Sequence, residues 1–532
     1  IDWTINGISQ TAYNWTGSLL QYEADTILLG NFYPVAGTNT LRLWSSNPNL
    51  STDLEPTNDT LMVISYGCDS LLHGVYTVGG VGADFASIAD VELALGKCGV
   101  DGPTEFRLAT GDYTALAISG NVLGSSTVNT ITFTSATMNA ANVRFIGNTA
   151  LSLSSTNNIK FKYITFGDST GYYGVQMMGK CDNIEFYRCV IQMDVTSYDY
   201  SYAFYKPQGG VCDGLRFVGN VVDGGYFAFY LYGQSDVMGG YNTNVIIDSN
   251  VFSNFCYSPF NIYYTDLTSF SYNVFTARSG GETYMYSETY YTNHNYTVGN
   301  RINTSNNTSL DEYNNYIGNA NIINCSGRGF FANNEIINTS NNGGYGVSIN
   351  SSNLDVYHNS IYAAGSSWAT AIYMDAWQGQ INCKNNQLFA QNIPIRVYQE
   401  NNVTVENNNY YSFSGIVGEW EGVTCNTLND WISESGDTTA KNIAPSCVDI
   451  TQSLDLVNYT GMACTRLPNV LNDINNRSRS SITTLGAYSL QIVEGFNLSV
   501  DEVTEPSLIS VVKCYPDFST VKASLYNAGT LP

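Results

Sequence analysis

From about residue 157 the chain repeats one short pattern: an apolar residue, two variable ones, an asparagine, one variable residue and a second apolar one. It reads Phe217-Val-Gly-Asn220-Val-Val222, Ile247-Asp-Ser-Asn250-Val-Phe252, Phe270-Ser-Tyr-Asn273-Val-Phe275, Phe331-Ala-Asn-Asn334-Glu-Ile336, Val356-Tyr-His-Asn359-Ser-Ile361, Cys383-Lys-Asn-Asn386-Gln-Leu388 and Val405-Glu-Asn-Asn408-Asn-Tyr410, with Asn300 in a looser copy. Successive asparagines are 30, 23, 27, 34, 25, 27 and 22 residues apart. Two earlier copies, Phe161 to Phe166 and Phe186 to Ile191, carry Ile164 and Cys189 in the asparagine slot. Period-2 alternation with β-branched and aromatic residues marks strands, and no helical period connects them. The pattern therefore predicts a parallel β-helix of roughly a dozen coils. Turns are the other common use of asparagine, but its fixed offset from both apolar positions favours an inward slot. There Asn220, Asn250, Asn273, Asn300, Asn334, Asn359, Asn386 and Asn408 would stack as an amide ladder.

Two further features fit stacked coils. Cys181 and Cys212 each lie five residues before the leading Phe of a coil. Neighbouring strands are about 4.8 Å apart, so the two are predicted to touch, as a bridge or as stacked thiols. The stretch 84–98 predicts a helix, with Asp84 as N-cap, Ile88, Val91 and Leu95 on one stripe and Gly99 as the stop, that would cover the open end of the solenoid.

Both ends of the chain alternate differently. Ile1 to Ile5 runs into Asn6-Gly7, a hairpin signal, and Leu41 to Trp44, Leu508 to Val512 and Val521 to Leu525 predict further strands. Residues 1–67 and 489–532 are each short for a sandwich but total 111 residues, close to the ~100 of an immunoglobulin-like domain. Residues 1–67 are thus expected to be the C-terminal part of one Ig-like sandwich and 489–532 the N-terminal part of the next. Between them, 68–488 would form the β-helix, with a closing segment at about 412–488. Ile1, Trp3, Leu525 and Pro532 would mark the junction between neighbouring copies. Ile1 is neither an initiator nor the start of a signal peptide, which reads as a stretch of something longer.

Composition narrows the function. Hydrophobic residues make up 43% and charged residues 12%, with a net charge of −24. That balance excludes disorder, and it would repel nucleic acid and an anionic bilayer. No run reaches the ~18 apolar residues of a spanning helix, so no direct membrane insertion is expected. Twelve cysteines without a C-x-x-C pair, beside three histidines, argue against structural zinc. Abundant Asn, Ser, Thr and 40 Tyr suit strands and turns outside the cell.

Catalytic candidates are few. Asp182 and Asp213, stacked, could supply the paired carboxylates of a glycosidase, but residues at equivalent corners of consecutive coils are the better reading. Lys160, Lys162, Arg188 and Arg216 read as solvated strand residues, His358 as outward or satisfied, and His73 and His294 as isolated. No cofactor is called for. Calcium held by acidic loops stays open, though no Asp-x-Asp-x-Asp-Gly run points to it. Tyrosines cluster at Tyr198 to Tyr202, Tyr263-Tyr264 and Tyr284 to Tyr291, where they would either pad the wall or present flat faces to sugars or proteins.

Tyr13-Asn-Trp-Thr-Gly-Ser-Leu, Trp44-Ser-Ser-Asn-Pro-Asn and Asn58-Asp-Thr-Leu61 resemble the CARDB-type Ig-like modules of large secreted proteins from Bacteroidota, and Phe496 to Val500 through Asn527-Ala-Gly529 resembles the start of such a module. Tyr76 to Phe85 and Gly111 to Thr114 resemble the opening of right-handed parallel β-helix domains in the same proteins. Leu428 to Trp431, Asp473 to Arg477 and Leu485 to Tyr488 resemble their closing segment. In this order they resemble the giant surface adhesins of gliding motility exported by type IX secretion, and they cover nearly the whole chain. The resemblance implies a structural and adhesive repeat of a long extracellular, cell-surface fibre. Its partners would be neighbouring copies and surface polysaccharide or other surface proteins. It also implies O-glycosylation at Thr26, Thr60 and Ser70, each in an Asp-Ser/Thr-apolar triplet. The competing expectation is a secreted β-helix polysaccharide lyase or glycoside hydrolase.

Overall fold

The computed structural model describes residues 1–490 apart from 21, 36, 47–56, 58, 69, 236–239, 279–286, 304–315, 318–328, 340–343, 351–352, 377–378 and 400–401; beyond 490 it describes the backbone of Leu498–Glu505 and Lys522–Asn527. The expected strand at Leu508 to Val512, Pro532 and part of the tyrosine run from Tyr284 lie outside these residues. The chain is all-β, 48% strand and 5% helix, with a parallel β-solenoid of about 11 turns. It divides into two compact units, Ile1–Arg107 with Asn121–Thr132, and Leu108–Gly120 with Phe133–Pro532.

The first unit carries an antiparallel sheet of β1 (Asp2–Ile5), β2 (Ile8–Ser9), β3 (Gly37–Trp44) and β4 (Thr60–Gly67), in the order β2-β1-β3-β4. The Asn6-Gly7 turn takes φ of 49° and 81°, the left-handed pair that a tight hairpin needs. Helix α1 (Ile88–Lys97) buries Ile88, Val91 and Leu95. Its N-cap is Ser87 and not Asp84: Ser87 and Asp90 form a reciprocal capping box. Asp84 instead accepts from the backbone and hydroxyl of Thr77, both at 2.7 Å. A disulfide joins Cys68 to Cys98, with Cα atoms 5.7 Å apart.

In the second unit each coil contributes three short strands that pair in parallel with their equivalents in the coils before and after. One column begins Ile159–Lys162, Glu185–Tyr187, Arg216–Val218, the next Thr165–Phe166, Val190–Gln192, Val221–Asp223, and the third Tyr173–Met178, Tyr202–Lys206, Phe227–Tyr232. Alternation puts both apolar positions of each repeat inside, so the lumen fills with stacked rings. Phe204 lies over Phe229 at 4.5 Å and Phe252 over Phe275 at 4.5 Å.

The parallel run ends where Gly418–Trp420 pairs antiparallel with Val423–Cys425. Helix α2 (Leu428–Ser435), boxed by Thr427 and Asp430, then sets buried Trp431 against Tyr410 at 4.8 Å and Trp420 at 5.5 Å. From about residue 440 the closing segment doubles back as a strap along the outside of the middle column. Lys441 pairs with Asn409, Arg479 reaches Asn333, and Asn303 donates to Thr451. Its Leu454, Leu456, Tyr459, Met462, Leu485 and Tyr488 bury Ile337, Tyr362 and Phe389 of the coils beneath.

Candidate functional site

All eight asparagines stand in one column, and the Nδ2 of each of the first seven donates to the Oδ1 of the next. The distances are 3.1 Å from Asn220 to Asn250, 2.9 Å to Asn273, 3.0 Å to Asn300, to Asn334, to Asn359 and to Asn386, and 2.9 Å to Asn408. Each receiving Oδ1 also takes the backbone N–H of the rung before it. The second Nδ2 hydrogen reaches a carbonyl of the preceding coil, as from Asn300 to Phe270 at 2.7 Å. Every hydrogen-bonding site of an interior rung is therefore used, the condition under which a buried polar network is tolerated. At one end Cys189 donates its N–H to Asn220, and at the other Asn408 bonds Tyr410 Oη, which donates to Asp437.

The bend holding each rung is also a turn, so the two readings of asparagine meet in one place. The residue immediately before each ladder position is left-handed in coil after coil: Tyr163, Arg188, Gly219, Ser249, Tyr272, Gly299, Asn333, His358, Asn385 and Asn407, with φ from 50° to 72°. That twist turns the following side chain inward. Sequence reading missed this position because Gly, Asn, His, Ser, Tyr and Arg all occupy it.

A second polar column forms at another corner. Asp182 N–H donates to Asn157 Oδ1, Asp213 N–H to Asp182 Oδ1, and Thr243 donates through both N–H and Oγ1 to Asp213 Oδ1, at 2.7 to 3.1 Å. One oxygen of each aspartate is thus tied to the next coil's backbone, the corner role expected of them. Cys181 and Cys212 are both free and buried, so they are stacked thiols and not a bridge. Cys181 Sγ donates to Met178 O at 3.3 Å, and burial pushes both thiols up. Lys206, fully buried beside them, donates to Pro207 and Gly210 carbonyls, and burial pulls its ammonium down.

Of the two readings open for His358, outward or satisfied, the structure takes the inward one. His358 is not outward: its left-handed backbone turns it into the space under the strap, where Asn385 Nδ2 lies 3.0 Å from Nε2. Burial, with Arg479 nearby, holds it well below the usual imidazole range. His294 is buried between Thr289 and Thr297 hydroxyls at 2.9 and 3.0 Å, and burial lowers it from 6.5 to about 4. Only His73 is exposed, 2.9 Å from Asp101. Arg188 and Arg216 are exposed, and Lys160 and Lys162 are half-buried.

The tyrosines form columns on the outer wall. Tyr202 stacks on Tyr173 at 5.6 Å and on Phe227 at 4.6 Å, Tyr226 on Tyr200 at 4.5 Å and Tyr257 at 4.9 Å, and Tyr264 on Tyr291 at 5.2 Å. Coil stacking thus turns ring faces toward one another. Burial raises the Tyr230 phenol to about 12.

At the junction positions, Ile1 donates its amine to Tyr13 O at 2.7 Å, and Trp3 is buried with Nε1 donating to Thr11 O at 3.0 Å. Leu525 pairs with Val500 in the strands beyond residue 490. Thr26, Thr60 and Ser70 are all exposed. Among the described residues no cluster of three or more His, Cys, Asp or Glu is arranged to hold a metal, and no helix is long and apolar enough to cross a membrane. No protein-family model matches the chain, and no curated protein matches it.

Proposed function

We propose that the chain is a structural and adhesive segment of an extracellular surface fibre, a stiff spacer whose outer wall meets surface polysaccharide or other surface proteins. The observation that carries this reading is the unbroken asparagine ladder, which ties eight consecutive coils through buried amides. A solenoid linked coil to coil along its whole length resists bending and local opening. The outer wall offers phenolic hydroxyls at ring edges, a surface for hydrogen bonding more than for stacking on sugar faces. An extracellular location is supported by the Cys68–Cys98 disulfide, since such bonds persist in oxidising compartments. The resemblance to Bacteroidota gliding adhesins, with Ig-like modules and type IX export, is part of the same proposal. The carboxylates best placed for hydrolysis, Asp182 and Asp213, are used as backbone acceptors, which favours the structural reading over the enzymatic one.

The test is to display single copies on an inert cell and measure retention on polysaccharide-coated surfaces under flow. New reducing ends and unsaturated products are assayed in the same wells. Retention with intact polymer supports the proposal; cleavage of the polymer contradicts it.

A further inference from the structure

Where the strap sets out, its first contact is with the last rung of the ladder. Lys441 N–H donates to Asn408 O and Lys441 O accepts from Tyr410 N–H, both at 2.9 Å, so its backbone is pinned on either side of Asn409. Two residues further on, the Asn409 carboxamide holds Ile443 twice, Oδ1 accepting from N at 2.8 Å and Nδ2 donating to O at 2.9 Å. The lysine side chain therefore starts from a fixed point. It ends at Asn407, with Nζ 2.8 Å from Oδ1, and its other acceptor is Ala463 O at 3.1 Å.

Asn407 is held as firmly. Its N–H donates to Asp437 Oδ1 at 3.1 Å and its Nδ2 to Asn385 Oδ1 at 2.8 Å, and both of those partners are buried. Burial also pulls the Lys441 ammonium down, against the opposing pull of Cys464 and Asp437, which enlarges the share of free amine. A desolvated lysine amine is a nucleophile, and what it faces decides what it can do. Lys206 faces the main-chain carbonyls of Pro207 and Gly210, and Lys384 faces the Glu406 carboxylate. A main-chain carbonyl cannot lose its amine without breaking the chain, and a carboxylate resists attack. The Asn407 carboxamide has a carbonyl carbon open to an amine and a nitrogen that can leave as ammonia.

We propose that Lys441 and Asn407 join in the folded chain through a side-chain amide bond. Nζ, as the free amine, adds to Cγ; the Cγ–Nδ2 bond breaks; and the proton shed by the amine leaves on the departing nitrogen. An ammonium and a carboxamide thus become an amide and an ammonium ion, with no oxidant, cofactor or other reactant. Cγ lies one carbonyl bond, about 1.2 Å, beyond Oδ1, so a turn of the lysine's last bonds brings Nζ into the near-attack range of about 3 to 3.5 Å. The new bond closes a loop of 34 residues that contains the Gly418–Trp420/Val423–Cys425 hairpin and α2. A pull between the coils and the strap then runs through the bond and not through α2. The chemistry needs only the fold and does not depend on the fibre reading.

The test is intact-mass spectrometry of the purified 532-residue chain, denatured and with its disulfide reduced. Wild type should weigh one ammonia less than its sequence. Asn407→Ala and Lys441→Arg, each lacking one reactant, should weigh what their sequences give. Digestion then maps the bond. Trypsin should fail to cut after Lys441, and after further cleavage at Glu419, Glu421 and Glu434 the pieces carrying Asn407 and Lys441 should stay joined as one branched peptide. Wild type at its full sequence mass overturns the proposal and leaves the pair as a hydrogen bond. So does an ammonia loss that maps to a cyclised asparagine, which leaves tryptic cleavage after Lys441 complete and gives no branched peptide. The decisive readings are made on wild type, so a variant that fails to fold does not blunt them.

Discussion

The side chain of an interior rung makes four hydrogen bonds, all of them buried. Asn300 Oδ1 accepts from Asn273 N and Nδ2, and Asn300 Nδ2 donates to Phe270 O and Asn334 Oδ1. Asn300→Ala strands those partners in the lumen and should cost about 3 to 5 kcal/mol in chemical denaturation. The left-handed residue before each rung gives a prediction of opposite sign. Ser249 is exposed with φ of 58°, so Ser249→Gly should raise stability by about 0.5 to 1 kcal/mol, while Ser249→Val should lower it by 1 kcal/mol or more, on the order of the left-handed penalty. His294 sets a pH window. Its folded value lies near 4 against 6.5 unfolded, so between those values the unfolded chain binds the extra proton. The stability it contributes is complete above 6.5 and lost as pH falls toward 4, by about 1.4 kcal/mol per unit. Denaturation at several pH values should show that loss in wild type, and a shallower one in His294→Gln.

At the scale of the element, the strap explains a change along the chain that the repeat alone does not. Three residues after each rung, the outward column reads Asp223, Ser253, Thr276 and Asn303, then Ile337, Tyr362, Phe389 and Tyr411. The switch from polar to apolar falls where the closing segment lies over the coils. It was present in the sequence, but it becomes visible only once the register is fixed by the ladder. The coils themselves were legible because their asparagine keeps a constant offset from inward Phe, Ile and Val. The Cys68–Cys98 bridge was not, since neither cysteine belongs to a repeated slot. Arg479 bolts the strap: almost wholly buried, it donates to Asn333 Oδ1 and to the Gly486, Ala487 and Thr484 carbonyls, and burial lowers it to about 10. Arg479→Met leaves those acceptors unpaired. Limited proteolysis with mass mapping should then show first cuts within residues 440–490, at least ten times faster than in wild type, with the coils before Asn300 still resistant.

For the whole molecule, nearest-neighbour coupling governs the response to load. Coil-to-coil strand pairing runs between neighbours, with Arg278 reaching back to Ser197 and Tyr198 and the strap lying across several coils as the exceptions, so stability is largely a sum of coil and interface contributions, and the ladder adds the same buried amide contact at each step. Rungs are 22 to 34 residues apart, so each coil that peels away releases roughly 75 to 115 Å of extended chain. The most direct measurement is single-molecule force spectroscopy on a chain held at residues 143 and 412. The stacked-coil account predicts that the solenoid stays closed until a threshold force and then yields in steps of that size, with Asn300→Ala lowering the threshold of the steps on either side of it. Smooth lengthening at low force, without steps and indifferent to that substitution, would contradict it.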